Sequence, residues 1–460
     1  MAIVILPSSL QSRTGGTCQF AVDAATAGEA LRRLEEQLPG IAGWVLDEQR
    51  RLREHIKIFV NAEQAELATP LSNGDELHVV RAISGGSGAR RKAAPNERAA
   101  KKGDSGELLV GTHKGLIVMR GERGGPMDIV ARQFAGQPVE FAVRDPRSGR
   151  YFASVTHGQH GPHLFYTDDP TGEWREAEGP AFPESADAAL KRIWIVQPGA
   201  EDGVLWAGVA PAALFRSEDD GVTWALNDGL WNQPSRPQWE GGMGGLCLHS
   251  ICPWPGEPEK LAVGISAVGV WVTEDAGVTW RSGNKGLVPR YLPEEARENT
   301  LAHCVHNMHR APGQPETIYM QFHGGVYRSD DAGDSWNDVA ADTGLPADFG
   351  FPLALDPADP NRAFVIPMVS DQDRVTVDGK VRVYETRDRG ASWRALANGL
   401  PQEDAYLTVL RQAFCADGRD PLGLYFGAES GDLFGSADGG RSWVSLAEHL
   451  PPILSVRASH

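Results

Sequence analysis

Long apolar segments are missing from this chain. No apolar run in its 460 residues approaches the roughly 20 residues needed to span a bilayer. The opening MAIVILP also lacks the basic segment of a secretory signal. Cysteine is scarce, with only five residues in the chain. Their number is odd, and no two of them form a Cys-x-x-Cys pair. We therefore expect a reduced, cytoplasmic protein without a disulfide framework.

Basic charge is also in short supply, since 44 Lys and Arg stand against 61 Asp and Glu. Residues 1–86 carry 8 basic and 11 acidic side chains, residues 87–106 carry 6 and 2, and residues 107–460 carry 30 and 48. The acidic C-terminal part repels phosphate, so we expect neither a nucleic acid nor an anionic membrane as partner. The short basic stretch contains no aromatic residue and is typical of a flexible linker.

One short pattern recurs in the acidic part, Ser/Thr-x-Asp-x-Gly-x-Ser/Thr-Trp. Intact copies begin at Ser217, Thr273, Ser329, Thr386 and Ser436, and a copy that has lost its glycine spacing begins at Thr167. The copies begin 50 to 57 residues apart, about the length of a four-stranded propeller blade. Asp and Ser/Thr side chains bond nearby backbone, and Gly accepts a positive φ. The pattern therefore predicts one tight turn in each repeat.

This pattern resembles the Asp-box, or BNR, repeat of sialidase-like propellers. The resemblance implies that each turn joins the two outer strands of a blade, and that it marks architecture and carries no catalysis. Six complete units follow residue 131, with apolar inner strands from Val139–Val143 to Leu407–Leu410, and an incomplete unit occupies 107–131. Ile453–Val456 has the character of the missing inner strand. We predict a seven-bladed β-propeller over 107–460, closed by this C-terminal strand.

The first 86 residues have a different pattern, with short apolar strands and one amphipathic helix. Thr26 and Glu29 have the spacing of a capping box, and Pro39-Gly40 ends the helix. The predicted strands are Ile3–Leu6, Phe20–Val22, Ile56–Asn61 and Leu77–Val80. The sequence thus predicts a mainly β chain in three parts: a small α+β domain at 1–86, a basic linker at 87–106 and the propeller at 107–460.

Three stretches of the first domain resemble the MoaD/ThiS sulfur carriers, bacterial relatives of ubiquitin. They are Phe59-Val60-Asn61, the LSNGDEL run at 71–77 and the Gly85-Gly86 ending. The resemblance implies a β-grasp fold with Gly85 and Gly86 as the carrier tail. It also implies an E1-like adenylating enzyme that activates the last carboxylate, and a donor that adds sulfur as a thiocarboxylate.

The carrier tail departs from that family because Ser87 and the rest of the chain follow Gly86. One hypothesis is that a processing protease cuts after Gly86 and frees the carboxylate. The other is that the domain is a retained fold that binds a partner and does no sulfur chemistry. A Gly-Gly pair is also a common beginning for a flexible linker.

The propeller face opposite the repeated turns is where we expect a ligand, either a protein or a small molecule. It should collect the blade-to-blade connections and the turns between second and third strands. The candidate pocket residues there are His113, His249, His303, His323 and Arg374. They favour a polar pocket for a metal or an anion, but loops carry polar residues in any case and no histidine pair has a metal-motif spacing. We predict no cofactor and no metal.

The overall prediction is a carrier domain joined to a propeller that acts as a binding platform. The alternative is a sialidase-like glycosyl hydrolase acting at the propeller funnel, with the first domain as an accessory. Such an enzyme needs three arginines, for which Arg192, Arg290 and Arg374 are candidates, and a Tyr nucleophile. The Arg-Ile-Pro motif of that family is absent from the sequence. Whether the propeller is catalytic stays open at this point.

Overall fold

A computed structural model describes residues 1–54, 56–81, 105–242, 244–297 and 301–459. These residues form two compact units, one around a five-stranded sheet and one around four-stranded sheets. The prediction of a mainly β chain is confirmed. Across the described ranges, every helix is too short or too polar to cross a bilayer.

The N-terminal sheet contains five strands, β1 (Ala2–Ile5), β2 (Gln19–Val22), β3 (Ile56–Val60), β4 (Glu63–Ala65) and β5 (Glu76–Arg81). Their order in the sheet is β2-β1-β5-β3-β4, with β1 and β5 parallel. Strand β4 was not predicted, because its polar sequence has no apolar alternation. It forms through a two-residue hairpin at Asn61 and Ala62, both of which have positive φ.

Helix α1 (Ala27–Gln37) lies beside this sheet and follows the predicted cap. The Thr26 hydroxyl accepts a hydrogen bond from the Glu29 amide at 3.3 Å. Leu31 and Leu34 are each 1% exposed and form the apolar face of the helix. The helix ends at Gln37 because Pro39 cannot continue the hydrogen-bond ladder.

Seven antiparallel four-stranded sheets make up the second unit in the described ranges. Sheet 1 combines β33 (Ile453–Ser459), β6 (Ser105–Thr112), β7 (Gly115–Glu122) and β8 (Met127–Gln133); sheet 2 has β9 (Val139–Arg144), β10 (Tyr151–His157), β11 (Gly161–Thr167) and β12 (Arg175–Glu176); sheet 3 has β13 (Arg192–Pro198), β14 (Leu205–Ala210), β15 (Ala213–Ser217) and β16 (Ala225–Leu226). Sheet 4 has β17 (Leu248–Trp254), β18 (Glu257–Ile265), β19 (Gly269–Thr273) and β20 (Arg281–Ser282); sheet 5 has β21 (Val305–Arg310), β22 (Ile318–Phe322), β23 (Gly325–Ser329) and β24 (Asn337–Asp338). Sheet 6 has β25 (Gly350–Asp356), β26 (Asp359–Pro367), β27 (Val383–Thr386) and β28 (Arg394–Leu396); sheet 7 has β29 (Phe414–Ala416), β30 (Leu424–Gly427), β31 (Leu433–Ser436) and β32 (Val444–Ala447).

The short helical segments are α2 (Asp228–Trp231) and six single turns at Ser8–Arg13, Pro39–Ile41, Glu184–Ala186, Arg236–Gln238, Glu294–Ala296 and Val377–Gly379. The first strand of each sheet as given above is its inner strand. Each inner strand contacts the inner strands of the two sheets beside it, and the series returns from β33 to β9.

The C-terminal strand completes sheet 1, as the sequence predicts. Val456 stands opposite Val110 in the antiparallel pairing of β33 with β6. Ile453 and Val456 are fully buried and belong to the same apolar cluster as Phe426 of sheet 7. The pairing joins the two ends of the unit, so no inner edge is left open in this sheet.

The repeated turn joins the third and fourth strands of sheets 3 to 7. In sheet 6, the Thr386 hydroxyl donates to Asp388 Oδ1 at 2.9 Å and accepts from the Gly390 amide at 2.8 Å. The same carboxylate accepts from the Ser392 amide at 2.9 Å and from its hydroxyl at 2.6 Å. The Asp side chain therefore holds both ends of the turn. Hydrogen bonds to Ser392 and to its amide lower the pKa of Asp388.

In sheets 4, 5 and 6 the indole of the tryptophan that ends the turn, Trp280, Trp336 or Trp393, bonds to the preceding sheet's side of the contact. Trp336 Nε1 donates to the carbonyl of Gly283, and Trp393 Nε1 donates to that of Val339, both at 2.8 Å. Gly283 and Val339 each directly follow the fourth strand of the preceding sheet. The repeat therefore stabilises the contact between successive sheets as well as the turn itself.

The predicted inner strand Leu407–Leu410 is wrong. In sheet 7 the inner strand is Phe414–Ala416, and 407–410 is part of the connection that precedes it. Leu407 and Val409 are nevertheless buried, at 8% and 0% exposure. Their apolar pattern reflects burial in the core, which a strand and an extended connection share.

Candidate functional site

A cavity of about 490 Å³ opens among the strand starts of sheets 4, 5 and 6. We call it the funnel cavity. Blade-to-blade connections supply Glu240, Tyr291 and Arg411, and the turn between the second and third strands of sheet 6 supplies Asp371 and Arg374. These are the kinds of segment that the sequence predicts for the face opposite the repeated turns.

Two of the five predicted pocket residues line the funnel cavity, His323 and Arg374. His323 follows β22 in the turn to β23, and its Nε2 lies 4.0 Å from Asp371 Oδ2. The Arg374 guanidinium lies 5.4 Å from the ring centroid of Phe351. The structure thus brings these two side chains to one site from neighbouring sheets.

The other three predicted residues do not line the funnel cavity. His249 is fully buried, with Nε2 3.0 Å from the carbonyl oxygen of Val305. Its burial and, to a smaller extent, the positive charge of Arg411 lower its pKa to about 3. His303 is 3% exposed and packs against Phe322. His113 is exposed in the turn between β6 and β7 of sheet 1. His249 and His303 lie at or near the starts of inner strands, but this position does not direct their side chains into the cavity.

A β-bulge decides where His306 points. Val305 stands opposite Phe322 and Asn307 opposite Gln321, so His306 is the extra residue between two ladder pairs. A bulge bends the strand and re-aims the unpaired side chain. His306 is only 2% exposed, yet it lines the funnel cavity.

Cys304, His306 and His323 form a cluster whose ligand atoms all lie within 4.8 Å of one another. The His323 amide donates to the Cys304 carbonyl at 3.0 Å, which ties the two chain segments together. Burial raises the pKa of the Cys304 thiol and lowers those of both imidazoles. A cysteine that loses its thiol proton to a metal, together with two neutral imidazoles, is a donor set of zinc-type ions.

Two guanidinium groups flank this cluster. Arg411 lies 4.8 Å from the ring centroid of Phe351, on which Arg374 also packs. Arg411 Nε has no hydrogen-bond partner among the residues that the structure describes, and burial lowers the pKa of the group. Two guanidiniums beside a half-enclosed cavity attract an anion.

The Tyr291 phenol lies in the same cavity but is already bonded to the backbone. Its hydroxyl donates to the Ala302 carbonyl at 2.7 Å and accepts from the Cys304 amide at 2.8 Å. Burial raises the pKa of this phenol, so it stays protonated. Its role in the structure is to hold the connection that leads into β21.

Sequence reasoning missed Cys304, His306 and Arg411. His306 shares its place in the repeat with His249, since each is the extra residue of a bulge on its inner strand. Aligning the repeats on their inner strands would have drawn attention to that position. Arg411 had no such signal, because it follows the misassigned 407–410 segment.

The comparisons with known proteins concern mainly the N-terminal part. Residues 4–86 match the sequence model of the ThiS family. Residues 4–86 therefore form a domain similar to the ThiS-type sulfur carriers. The sulfur carrier protein CysO of Mycobacterium tuberculosis and that of Mycobacterium bovis are each 29% identical over 89 residues, which is 18% of this chain and 96% of the relative. The carrier tail, Gly85 and Gly86, lies outside the described residues.

Solved structures resemble each part of the chain separately. An ancestral GH74 enzyme is 14% identical with a TM-score of 0.43, over 76% of this chain and 40% of that one, so this chain spans about two fifths of its length. A putative 6-phosphogluconolactonase from Bacteroides uniformis is 11% identical with a TM-score of 0.48, over 78% of this chain and all of that one. The BexX/CysO complex of Amycolatopsis orientalis contains a chain 28% identical to the carrier domain, with a TM-score of 0.18, over 19% of this chain and all of that one.

Proposed function

We propose that the chain is a β-grasp sulfur carrier joined to a seven-bladed Asp-box propeller, and that a protease releases the carrier by cutting after Gly86. The observation that carries the proposal is the match to the ThiS family, which ends at residue 86, the second of two glycines. The alignment with CysO covers 96% of that protein and 18% of this one. The rest of the chain is therefore an addition to a whole carrier.

The chemistry of the tail requires a free carboxylate. Cleavage of the bond between Gly86 and Ser87 supplies it, and an E1-like adenylating enzyme then activates it for replacement of one oxygen by sulfur. Two residues without Cβ suit a narrow enzyme channel. A CysO chain has been solved in complex with BexX, which supports a partner protein for the carrier domain.

The propeller acts in this proposal as a binding platform in the cytoplasm. The closed series of inner-strand contacts among the seven sheets supports a single propeller, and the repeated turns stabilise its outer strands. The funnel cavity is the site for its ligand, on the face away from those turns.

The alternative of a sialidase-like hydrolase receives less support from the funnel cavity. Of the three arginines named for substrate binding, Arg192 lies 3.3 Å from Glu140, and Arg290 forms an ion pair with Asp338. The Tyr291 hydroxyl is bonded to backbone groups on both sides. A tyrosine nucleophile needs a carboxylate partner instead. We therefore expect no release of sugar from fluorogenic glycosides.

The test is the intact mass of untagged protein purified from its native host. We expect a fragment that begins at Ser87 and a 1–86 fragment, part of it heavier by the exchange of one oxygen for sulfur. Gly86→Asp should block the cut, whereas Gly88→Asp, two positions beyond the bond, should leave it unchanged. A single chain of 49.7 kDa in both the parent and the variants would refute the precursor mechanism.

A further inference from the structure

The strongest unassigned feature is the cluster of Cys304, His306 and His323, which is independent of the carrier chemistry. Cys304 directly precedes β21, His306 occupies the bulge in that strand, and His323 follows β22. A backbone hydrogen bond of 3.0 Å joins Cys304 to His323. The three donors thus lie on, or within one residue of, two neighbouring strands of one sheet.

The orientation of His306 is that of a metal ligand. Its Nδ1 lies 2.7 Å from the carbonyl oxygen of Gly350. A carbonyl only accepts, so Nδ1 carries the proton and Nε2 of the neutral ring keeps its lone pair. A hydrogen bond from the second ring nitrogen to a backbone carbonyl is the usual way in which proteins orient a ligating histidine.

The surroundings of the cluster are apolar on one side. The His306 ring packs on Phe351 and Phe349, with centroid distances of 4.7 and 5.3 Å, and lies 5.1 Å from the ring of His323. An apolar wall excludes water and strengthens metal–ligand interactions. The opposite side of the cluster opens into the funnel cavity.

We propose that Cys304, His306 and His323 bind one divalent metal ion of the zinc type, with its fourth coordination position open to the funnel cavity. Three protein ligands and an open position are the pattern of catalytic zinc sites. Tetrahedral coordination at zinc bond lengths places ligand atoms roughly 3.5 Å apart. The cluster spans up to 4.8 Å, and a rotation of the part-exposed His323 side chain closes that difference.

The charges around the open position select its ligand. A bound dication displaces the thiol proton of Cys304, so one thiolate and two neutral imidazoles leave a net positive charge on it. Arg374 and Arg411 add two more positive charges beside it. Two carboxylates line the same cavity, Asp371, which lies 4.0 Å from His323, and Glu240. The positive charges outnumber these carboxylates, so the ligand at the fourth position is a small anion, for which acetate serves as the probe.

The metal site is tested with Co²⁺ and Zn²⁺ on the full-length, untagged protein. We expect one equivalent of Co²⁺ to bind and to produce a thiolate-to-cobalt charge-transfer band that Zn²⁺ abolishes. Cys304→Ser should remove the band, and His306→Gln and His323→Gln should each weaken Co²⁺ binding at least about tenfold, the smallest loss typical even of residues that only orient ligands.

Two variants serve as matched controls. Cys247→Ser removes a buried thiol close to the cluster, and His113→Gln removes an exposed imidazole in sheet 1. Both should retain the band and the affinity. Near-ultraviolet circular dichroism checks that each variant is folded. Absence of stoichiometric binding, or equal losses in ligand and control variants, would overturn the site.

The open position is tested on the Co²⁺-loaded protein with acetate as the probe. Acetate should change the cobalt d–d spectrum, and Arg374→Gln should weaken that effect at least about tenfold while one equivalent of Co²⁺ still binds. A spectrum unchanged by acetate would overturn the assignment of an anion to the open position.

Discussion

The side chains that matter most in this protein make two kinds of contact, local in sequence or distant in sequence. Asp388 and its counterparts accept several hydrogen bonds inside one turn, and the resulting network is local in sequence. His306 depends on a bulge and on a carbonyl 44 residues away. Local networks of the first kind can be read from spacing, whereas contacts of the second kind depend on how sheets pack.

Glu35 is the residue whose titration should be visible in stability. It is 5% exposed on α1, with Oε1 accepting from the Leu46 amide at 3.2 Å, and burial raises its pKa from 4.5 to about 6. The folded state therefore holds the proton more tightly than the unfolded state. This contribution to stability is complete below about pH 4.5 and is lost as the pH rises through 6, by about 2 kcal/mol.

Replacement of the Glu35 carboxyl by a neutral group should remove the loss of stability at high pH. We expect Glu35→Gln to stabilise the N-terminal unit by about 2 kcal/mol at pH 7.5 and to match the parent near pH 4.5. Hydrogen exchange of the α1 amides in the full-length protein measures the difference. Glu36→Gln, an exposed neighbour, should show no such pH-dependent gain. Equal behaviour of the two variants at every pH would contradict the assignment.

At the scale of elements, the decisive pairing is that of β33 with β6. Each of the other inner strands continues directly into its own sheet, but sheet 1 takes its inner strand from the far end of the chain. Ile453 begins that strand and is fully buried against sheet 7. Truncation of its side chain should therefore lower the stability of the whole second unit.

We expect Ile453→Ala to lower the free energy of unfolding of the second unit by about 2–5 kcal/mol, the range for large apolar residues truncated in a core. Val444→Ala, in the outer strand β32 and 39% exposed, should cost less than about 0.5 kcal/mol. Urea unfolding followed by tryptophan fluorescence compares the two. A small effect at Ile453 would mean that β33 is not required for closure.

The whole molecule is strongly acidic, with a net charge of −17, and most of the excess lies in residues 107–460. Such a surface repels polyanions at long range. A compact, positively charged site on it attracts anions only over short distances. Arg374 and Arg411 in the funnel cavity form such a site for a small anion.

We therefore expect no gel shift of a DNA duplex by the full-length protein at about 10⁻⁵ M in 50 mM salt, where general DNA-binding proteins do bind. A shift that disappears on replacing Arg90, Arg91 and Lys92 by Gln would contradict this expectation and assign binding to the basic linker. A shift that survives those replacements would place a basic surface elsewhere and contradict it equally.

Much of the fold was predictable because its determinants repeat or are local. Residue spacing predicts the five turns, and Thr26 and Glu29 predict the cap of α1. The closing strand is predicted by an apolar run that has no partner near it in the sequence. The errors occurred where two structures share one pattern. The buried connection 407–410 looks like a strand, and the polar β4 does not.

The sequence by itself determined the repeat, its length and the carrier motifs, and it predicted the kinds of segment that line the funnel cavity. Only the tertiary structure decided which side chains meet there. A bulge turns His306 toward Cys304 and His323, while His249 in the equivalent bulge of sheet 4 is buried with its Nε2 against a backbone carbonyl. Both residues are the second of an inner strand, so spacing could not separate them. Strand register and the packing of one sheet on the next made the difference.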